Sequence, residues 1–217
     1  HDNPTLFDTT IYKLPLATTR EDRARVQILG AAINAFSQGV AYFHAGMDTL
    51  RSKSLDRNSY DSGDWFNALD WSYQHNNFGV GLPPAGDNGG SWPLMGPLLA
   101  NPDLQPLPAD IRWTRDAFRD LLRIRSSSTL FRMRTATDIG QRLVFRNTGS
   151  AQEPTVLAGH LEGRGYAGAG FREVLYLVNA DRQAHTLAFA NEAGKSWRLH
   201  PVHATAGAAD RRAAQAR

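Results

Sequence analysis

The chain has 217 residues, no cysteine, and a formal charge of only +3 despite a pI near 9.4. That length supports one or two domains with a buried core. The missing thiols exclude a disulfide framework and a thiolate metal site, and leave the compartment undecided between export and cytoplasm. Arg is scattered and largely balanced by Asp and Glu, so the clustered basic face of a nucleic-acid binder is absent. No apolar run reaches the ~18 residues of a membrane span. Neither nucleic acid nor membrane is therefore expected as a partner.

In chain order, the first predicted element is a helix over 20–38. Thr19 serves as N-cap with Asp22 three residues on, Val26, Leu29, Ile33 and Phe36 share a face, and Gly39 is the stop. Val40–His44 reads as a short apolar β run closed by Ala45 and Gly46. Residues 47–109 read mostly as loop, punctuated by Gly, Pro and Asn at 81–91 and 101–108. A second helix is predicted over 110–125, with Ile111, Phe118, Leu121, Leu122 and Ile124 as its buried stripe. Arginines near its end suit the helix dipole. From about Ser128 the texture becomes short β-like runs at 130–134, 142–147, 155–160, 173–179, 185–190 and 196–200. Strands at this spacing suggest an antiparallel sandwich, so a domain boundary is placed near 127. GRGYAGAG at 163–170 mimics a dinucleotide loop but lacks a βαβ setting, and reads as a hairpin or loop crest.

The run RSKSLDRNSYDSGDWFNALDWSYQHNNFGVGLPP (51–84) carries the most information. So long a loop inside a compact domain is usually functional or disordered, and Trp65, Phe66, Trp71, Tyr73 and Phe78 are too many rings for a solvated tail. Rings set among amides, carboxylates and guanidinium groups are what a sugar-binding surface needs. Packing is the favoured role for Trp65, Phe66, Trp71 and Tyr73 individually, because most large rings end up buried. Trp92 and Trp113 read as core or interface residues. Asp56, Asp61 and Asp64 with Asn58 superficially resemble a calcium loop, without the EF-hand spacing or its terminal Glu. The histidines show no metal-ligand spacing beyond His200 and His203, which read as surface residues.

This run resembles the segment after the eighth barrel strand in pullulanases and limit dextrinases, the α-1,6-debranching branch of glycoside hydrolase family 13. HDNPTLFD at 1–8, FHAGMDTLRSKSLDRNSYDSGDWFN, WPLMGPLLANP at 92–102, LLRIRSSSTLFRMRTA at 121–136 and VFRNTG at 144–149 extend the resemblance over essentially the whole chain. SKSLDRNSYDSGDWFN argues against the isoamylase and α-amylase branches. The resemblance implies an α/β plus all-β fold: the C-terminal portion of a (β/α)8 TIM barrel over 1–127, then an antiparallel β-sandwich over 128–217 that lacks its last strands.

It also implies roles. Asp2 would be the third family carboxylate, stabilising the oxocarbenium-like ring, and His1 would donate a hydrogen bond to a hydroxyl of the same sugar. Asn3 would steady the strand-end turn and touch substrate. Arg51, Asn58, Tyr60 and Asp61 would bind sugar, against the plainer reading that Arg51 and Asp61 pair with each other or with the loop backbone. The nucleophile and general acid would lie upstream of residue 1, in a missing N-terminal part of the same protein, so the chain alone would hydrolyse nothing. The implied partners are branched α-glucans: pullulan, limit dextrins and amylopectin fragments. No metal or cofactor is expected in this chain, and calcium is left open for a longer parent. Ala and Arg richness suggests a bacterial gene. The alternative function is a non-catalytic carbohydrate-binding module, which would have no need of the HDN motif.

Overall fold

The computed structural model describes residues 2–215. Their contacts divide into two compact units: residues up to 31 with 43–118, and 32–42 with 119 onward.

Unit 1 begins with α1 (Leu6–Lys13), capped by the Thr5 hydroxyl, which accepts from the Asp8 amide at 3.1 Å. Phe7 and Ile11 are its buried apolar positions. α2 (Arg20–Phe36) starts where expected, with the Thr19 hydroxyl accepting from the Asp22 amide at 3.1 Å. Gly39, in the left-handed region at φ 81°, follows its end. The face of α2 buried within this unit is Ala24, Gln27 and Ala31, not the larger apolar residues predicted; Ile33, in unit 2, is 46% exposed. Beside them Arg23 is buried and donates to the carbonyls of Thr10, Pro15 and Thr18. That satisfies a guanidinium taken out of water and ties the α1–α2 connection.

The segment expected to be loop holds α3 (Gly63–Asn67), α4 (Ala85–Asn88) and α5 (Trp92–Leu99) before α6 (Pro108–Ser126). α6 forms where expected and buries Ile111, Leu121 and Ile124 of the predicted stripe, but Phe118 is only partly buried and Leu122 is 39% exposed, and Thr114 and Ala117 are buried instead. Phe7, Ile11, Leu50, Leu55, Phe78, Met95, Leu104 and Ile111 form the core of unit 1, with Phe7 edge-on to Phe78 at 5.7 Å. No helix is long and apolar enough to cross a membrane among the described residues.

Unit 2 contains α7 (Ala136–Arg142), β1 (Leu143–Phe145), β2 (Val156–Glu162), β3 (Glu173–Asn179) and α8 (Pro201–Ala204). The strands make one antiparallel sheet in the order β1-β2-β3, with Val144 opposite His160 and His160 opposite Leu175. β3 has the predicted bounds, and the glycine-rich run 163–170 falls in its connection to β2. Gly159 faces Tyr176, and a Cβ there would lie 2.1 Å from the tyrosine Cζ, so only glycine leaves room for the ring. Tyr176 packs with Phe36, Phe131, Leu130 and Leu161 in the second core.

The expected TIM barrel and β-sandwich are not what this chain forms. Among the described residues a single three-stranded antiparallel sheet is present, set among eight α-helices. Residues 40–44, expected as a strand, pair with no other segment; Val40 is 78% and Tyr42 82% exposed. A parallel strand needs both neighbouring ladders and buried faces, and this run has neither. Residues 129–132 form a 3-10 turn because the Ser128 hydroxyl accepts from the Leu130 amide at 3.0 Å. Residues 185–190 and 196–200 join no ladder. His185 instead bonds Asp181 at 2.8 Å and lies 3.2 Å from Glu153.

Candidate functional site

The site of unit 1 is built on segment 46–62, which carries almost no regular structure yet is largely buried. Leu50, Ser54 and Leu55 have positive φ, a cost that the surroundings must hold in place. Fully buried Asp8 does much of this: its carboxylate accepts from the Ser52 hydroxyl at 2.5 Å and the Lys53 amide at 2.8 Å. Burial pushes the Asp8 carboxyl above its ordinary value, and these hydrogen bonds pull against that. Asp56, also buried, accepts from the Asn58 amide, the Ser62 hydroxyl and the Asn88 side chain at 2.9, 2.5 and 3.0 Å. Asn76 donates to the Leu50 carbonyl at 2.7 Å and accepts from the Phe78 amide at 3.2 Å. Asn67 donates to the carbonyls of Ser59 and Gly63. These side chains thus supply the partners that a sheet would otherwise give the backbone.

This framework lines a cleft of about 420 Å³ with Asp2, Asn3, Arg51, Lys53, Ser59 and Asn67. Asp2 pairs with Asn58 in an isolated antiparallel bridge. Asn3 is exposed at φ 66°, a left-handed position that asparagine tolerates. Arg51 donates to the carbonyls of Asn67 at 2.7 Å and Ala45 at 3.4 Å, while its buried Nε has no hydrogen-bond partner. Burial lowers the Arg51 pKa and Asp8 opposes that. The buried Lys53 ammonium is likewise lowered by desolvation, with Asp56, Asp8 and Asp2 among the charges near it. His44, also at the cleft, is lowered by partial burial and then by Arg51 and Lys53, which keeps it neutral near pH 7. Asn58 donates to Asp87 at 2.9 Å, and its buried Oδ1 has no partner.

The structure therefore brings Asp2, Asn3 and Arg51 to one cleft and ties Asn58 to Asp2. Tyr60, 69% exposed, and Asp61, also exposed, are not among its described lining. His1 lies outside the described residues. Arg51 and Asp61 form no ion pair. Sequence reasoning missed Asp8, Lys53, Asn67 and Asn88, and raised Asp56 only as part of a calcium-like loop. Asp8 stood inside the quoted HDNPTLFD motif, and Lys53 and Asp56 inside SKSLDRN, but nothing local signalled their burial. The rings divide: Trp65 and Trp71 are 65% and 55% exposed, while Tyr73 packs on the core with Arg115 4.8 Å from its ring centre.

The supposed calcium loop is otherwise engaged: Asp56 is committed to Asn58, Ser62 and Asn88, and Asp61 and Asp64 are exposed. In unit 2 the ligand atoms of His160, Glu173 and Glu192 lie within 4.8 Å of one another, one such group among the described residues. A cation is already there. Lys195 Nζ donates to Glu173 at 2.5 Å and to Glu192 at 2.8 Å, and Arg146 Nε donates to Glu192 at 2.8 Å.

Comparison with known proteins identifies the chain. Residues 73–217 match the family model described as alpha-1,6-glucosidases, pullulanase-type, C-terminal. The chain is 50% identical over 162 residues to pullulanase 1, chloroplastic, of Arabidopsis thaliana, covering 75% of this chain and 17% of that protein. It is 34% identical over 212 residues to a pullulanase of Klebsiella pneumoniae, covering 95% of this chain and 19% of the relative. The crystal structure of apo pullulanase from Klebsiella pneumoniae superposes with a TM-score of 0.85 at 32% identity, over 94% of this chain and 22% of that one. A Klebsiella pneumoniae pullulanase complexed with maltotriose superposes with the same TM-score. The chain belongs to the C-terminal family of pullulanase-type α-1,6-glucosidases. It spans about a fifth of these relatives' length, and since they include a plant enzyme, a bacterial origin does not follow.

Proposed function

We propose that this chain is part of a debranching hydrolase that cleaves α-1,6-glucosidic bonds in branched α-glucans with retention of configuration. In this reading the nucleophile and general acid come from outside the chain, and the chain alone is inactive. Asp2 accepts hydrogen bonds from hydroxyls of the sugar at the cleavage point, and these strengthen as the ring gains oxocarbenium character. His1 donates to the same sugar. Asn3, Arg51 and Asn58 position it, and Tyr60 and Asp61 meet the chain farther out. The observation that supports this most is the cleft where Asp2, Asn3 and Arg51 converge, with Asn58 bridged to Asp2.

The electrostatics suit the role. Asp2 shares its cleft with the cationic side chains of Arg51 and Lys53. The test is Asp2→Asn in the longer protein that carries this chain. Because Asp2 is exposed, the urea midpoint should stay where it is, while kcat on pullulan falls at least ~100-fold. Wild-type turnover by the Asp2→Asn protein overturns the role, and a longer protein that binds pullulan without releasing reducing ends overturns the reading as a hydrolase.

A further inference from the structure

Unit 2 carries a larger cleft, of about 730 Å³, between the start of β3 and the segment 194–201. This is within the size range of small-ligand sites. Its walls include Phe171, Trp197 and the guanidinium groups of Arg164, Arg172 and Arg198, with the Glu173 carboxylate among them. Trp197 is 38% exposed and is braced rather than loose. The His160 imidazole meets it edge-on at 6.2 Å and 87°, and Lys195 lies 5.7 Å from its ring centre. Both braces are themselves fixed, since His160 and Lys195 bond the same oxygen of Glu173 at 2.9 and 2.5 Å. Phe171 stands 5.2 Å from the His200 ring. Burial pushes His200 below its ordinary pKa, so it adds no charge near pH 7.

The chemistry of the walls selects among ligands. Arg164 and Arg172 already face Glu173 at 3.7 and 3.9 Å, and Lys195 is shared between Glu173 and Glu192. An anion seeking Arg164, Arg172 or Lys195 would have to displace Glu173 from them, and Glu173 is held ionised there. A neutral polyhydroxylated ligand needs no such displacement. Its apolar ring face stacks on the indole, and its hydroxyls meet guanidinium donors and a carboxylate acceptor at the edge.

We propose that this cleft is a glucan-binding subsite in which a pyranose stacks on Trp197 and its hydroxyls bond Glu173 and the surrounding arginines. It goes beyond the reading of the unit 1 cleft and shares only the ligand class with it. The chain has five tryptophans, so labelled indole N–H signals can be followed individually by NMR while the chain is titrated with maltotriose and maltoheptaose. The Trp197 signal is expected to shift. Trp197→Ala should weaken binding to this site about tenfold or more, and Trp197→Phe should retain most of it. Should the alanine variant fail to fold, the wild-type signal still decides. An unmoved Trp197 signal at saturating maltoheptaose overturns the proposal. So does a signal that moves only with heparin and reverts at about 1 M NaCl, the behaviour of a screened polyanion contact. Asp2→Asn should leave the Trp197 response unchanged. A silent Trp197 beside a catalytically essential Asp2 would remove this inference alone, and the converse would remove only the role of Asp2.

Discussion

Segment 46–62 of unit 1 and the strands of unit 2 hold their backbones by opposite means. In the strands, β2 pairs on both sides and the amides and carbonyls satisfy each other. In segment 46–62, Asp8, Asp56, Asn76 and Asn88 take over that work, each bonding a backbone amide or carbonyl of the segment. A ladder spreads its order over many equivalent bonds. A side-chain framework concentrates it in a few atoms, each buried and without a substitute. The difference fits what the loop presents: it brings Arg51, Lys53 and Ser59 to a cleft that no pleated strand would shape.

The sharpest way to break this comparison is Asp8→Ala. It leaves the Ser52 hydroxyl and the Lys53 amide buried without their acceptor, which should cost about 3 kcal/mol. Urea unfolding of the chain checks it, with hydrogen exchange locating the loss at the amides of 52–56. A change under about 1 kcal/mol would mean that the framework is dispensable and the loop is held by its apolar anchors Leu50 and Leu55.

The same contrast explains what the sequence made legible. α6 and β3 were readable because their patterns are local: a repeat of apolar positions in one, a β-branched and aromatic run between turns in the other. Thr19 and Gly39 marked the ends of α2 through chemistry within three residues. Residues 40–44 misled because an apolar run says nothing about whether a partner strand exists, and Val40 and Tyr42 are exposed. The buried face of α2 misled because small residues, Ala24 and Ala31, go inside where the helix packs closely. In the site, motif resemblance pointed to Asp2, Asn3, Arg51 and Asn58, which the structure gathers. It could not point to Asp8 or Asn88, whose partners lie 44 and 32 residues away.

On the unit 2 side, the prediction is a pH effect. Lys195 and then His160 hold the Glu173 carboxyl down to about 2, against 4.5 for the free group. A carboxyl depressed on folding contributes stability above its unfolded pKa, and that contribution is lost as pH falls through the folded value. The urea midpoint should therefore drop between pH 4.5 and 2, a window to which the depressed Glu192 and Asp181 also contribute. Glu173→Gln removes the titrating group, and the slope across that window should shrink. An unchanged slope would assign the acid sensitivity to groups outside the His160–Glu173–Lys195 cluster and would loosen the argument that this cluster braces Trp197.

The smallest effect is expected at Trp65. A large ring in a loop is usually a packing element, yet this one is 65% exposed, and its indole donates to the Val80 carbonyl at 3.1 Å near the surface. The loop beneath it is tied by other groups: Asn77 donates to the Trp65 carbonyl at 3.0 Å, and Asn67 to Ser59 and Gly63. Trp65→Ala should therefore change the urea midpoint by no more than about 0.5 kcal/mol of stability, the usual span for surface substitutions. A loss near 2 kcal/mol would place the ring in the packing of unit 1, and segment 46–62 would then rest on aromatic cover as well as on its polar framework. A neutral result leaves an indole face that stability does not require, beside a loop whose order comes from Asp8 and Asp56.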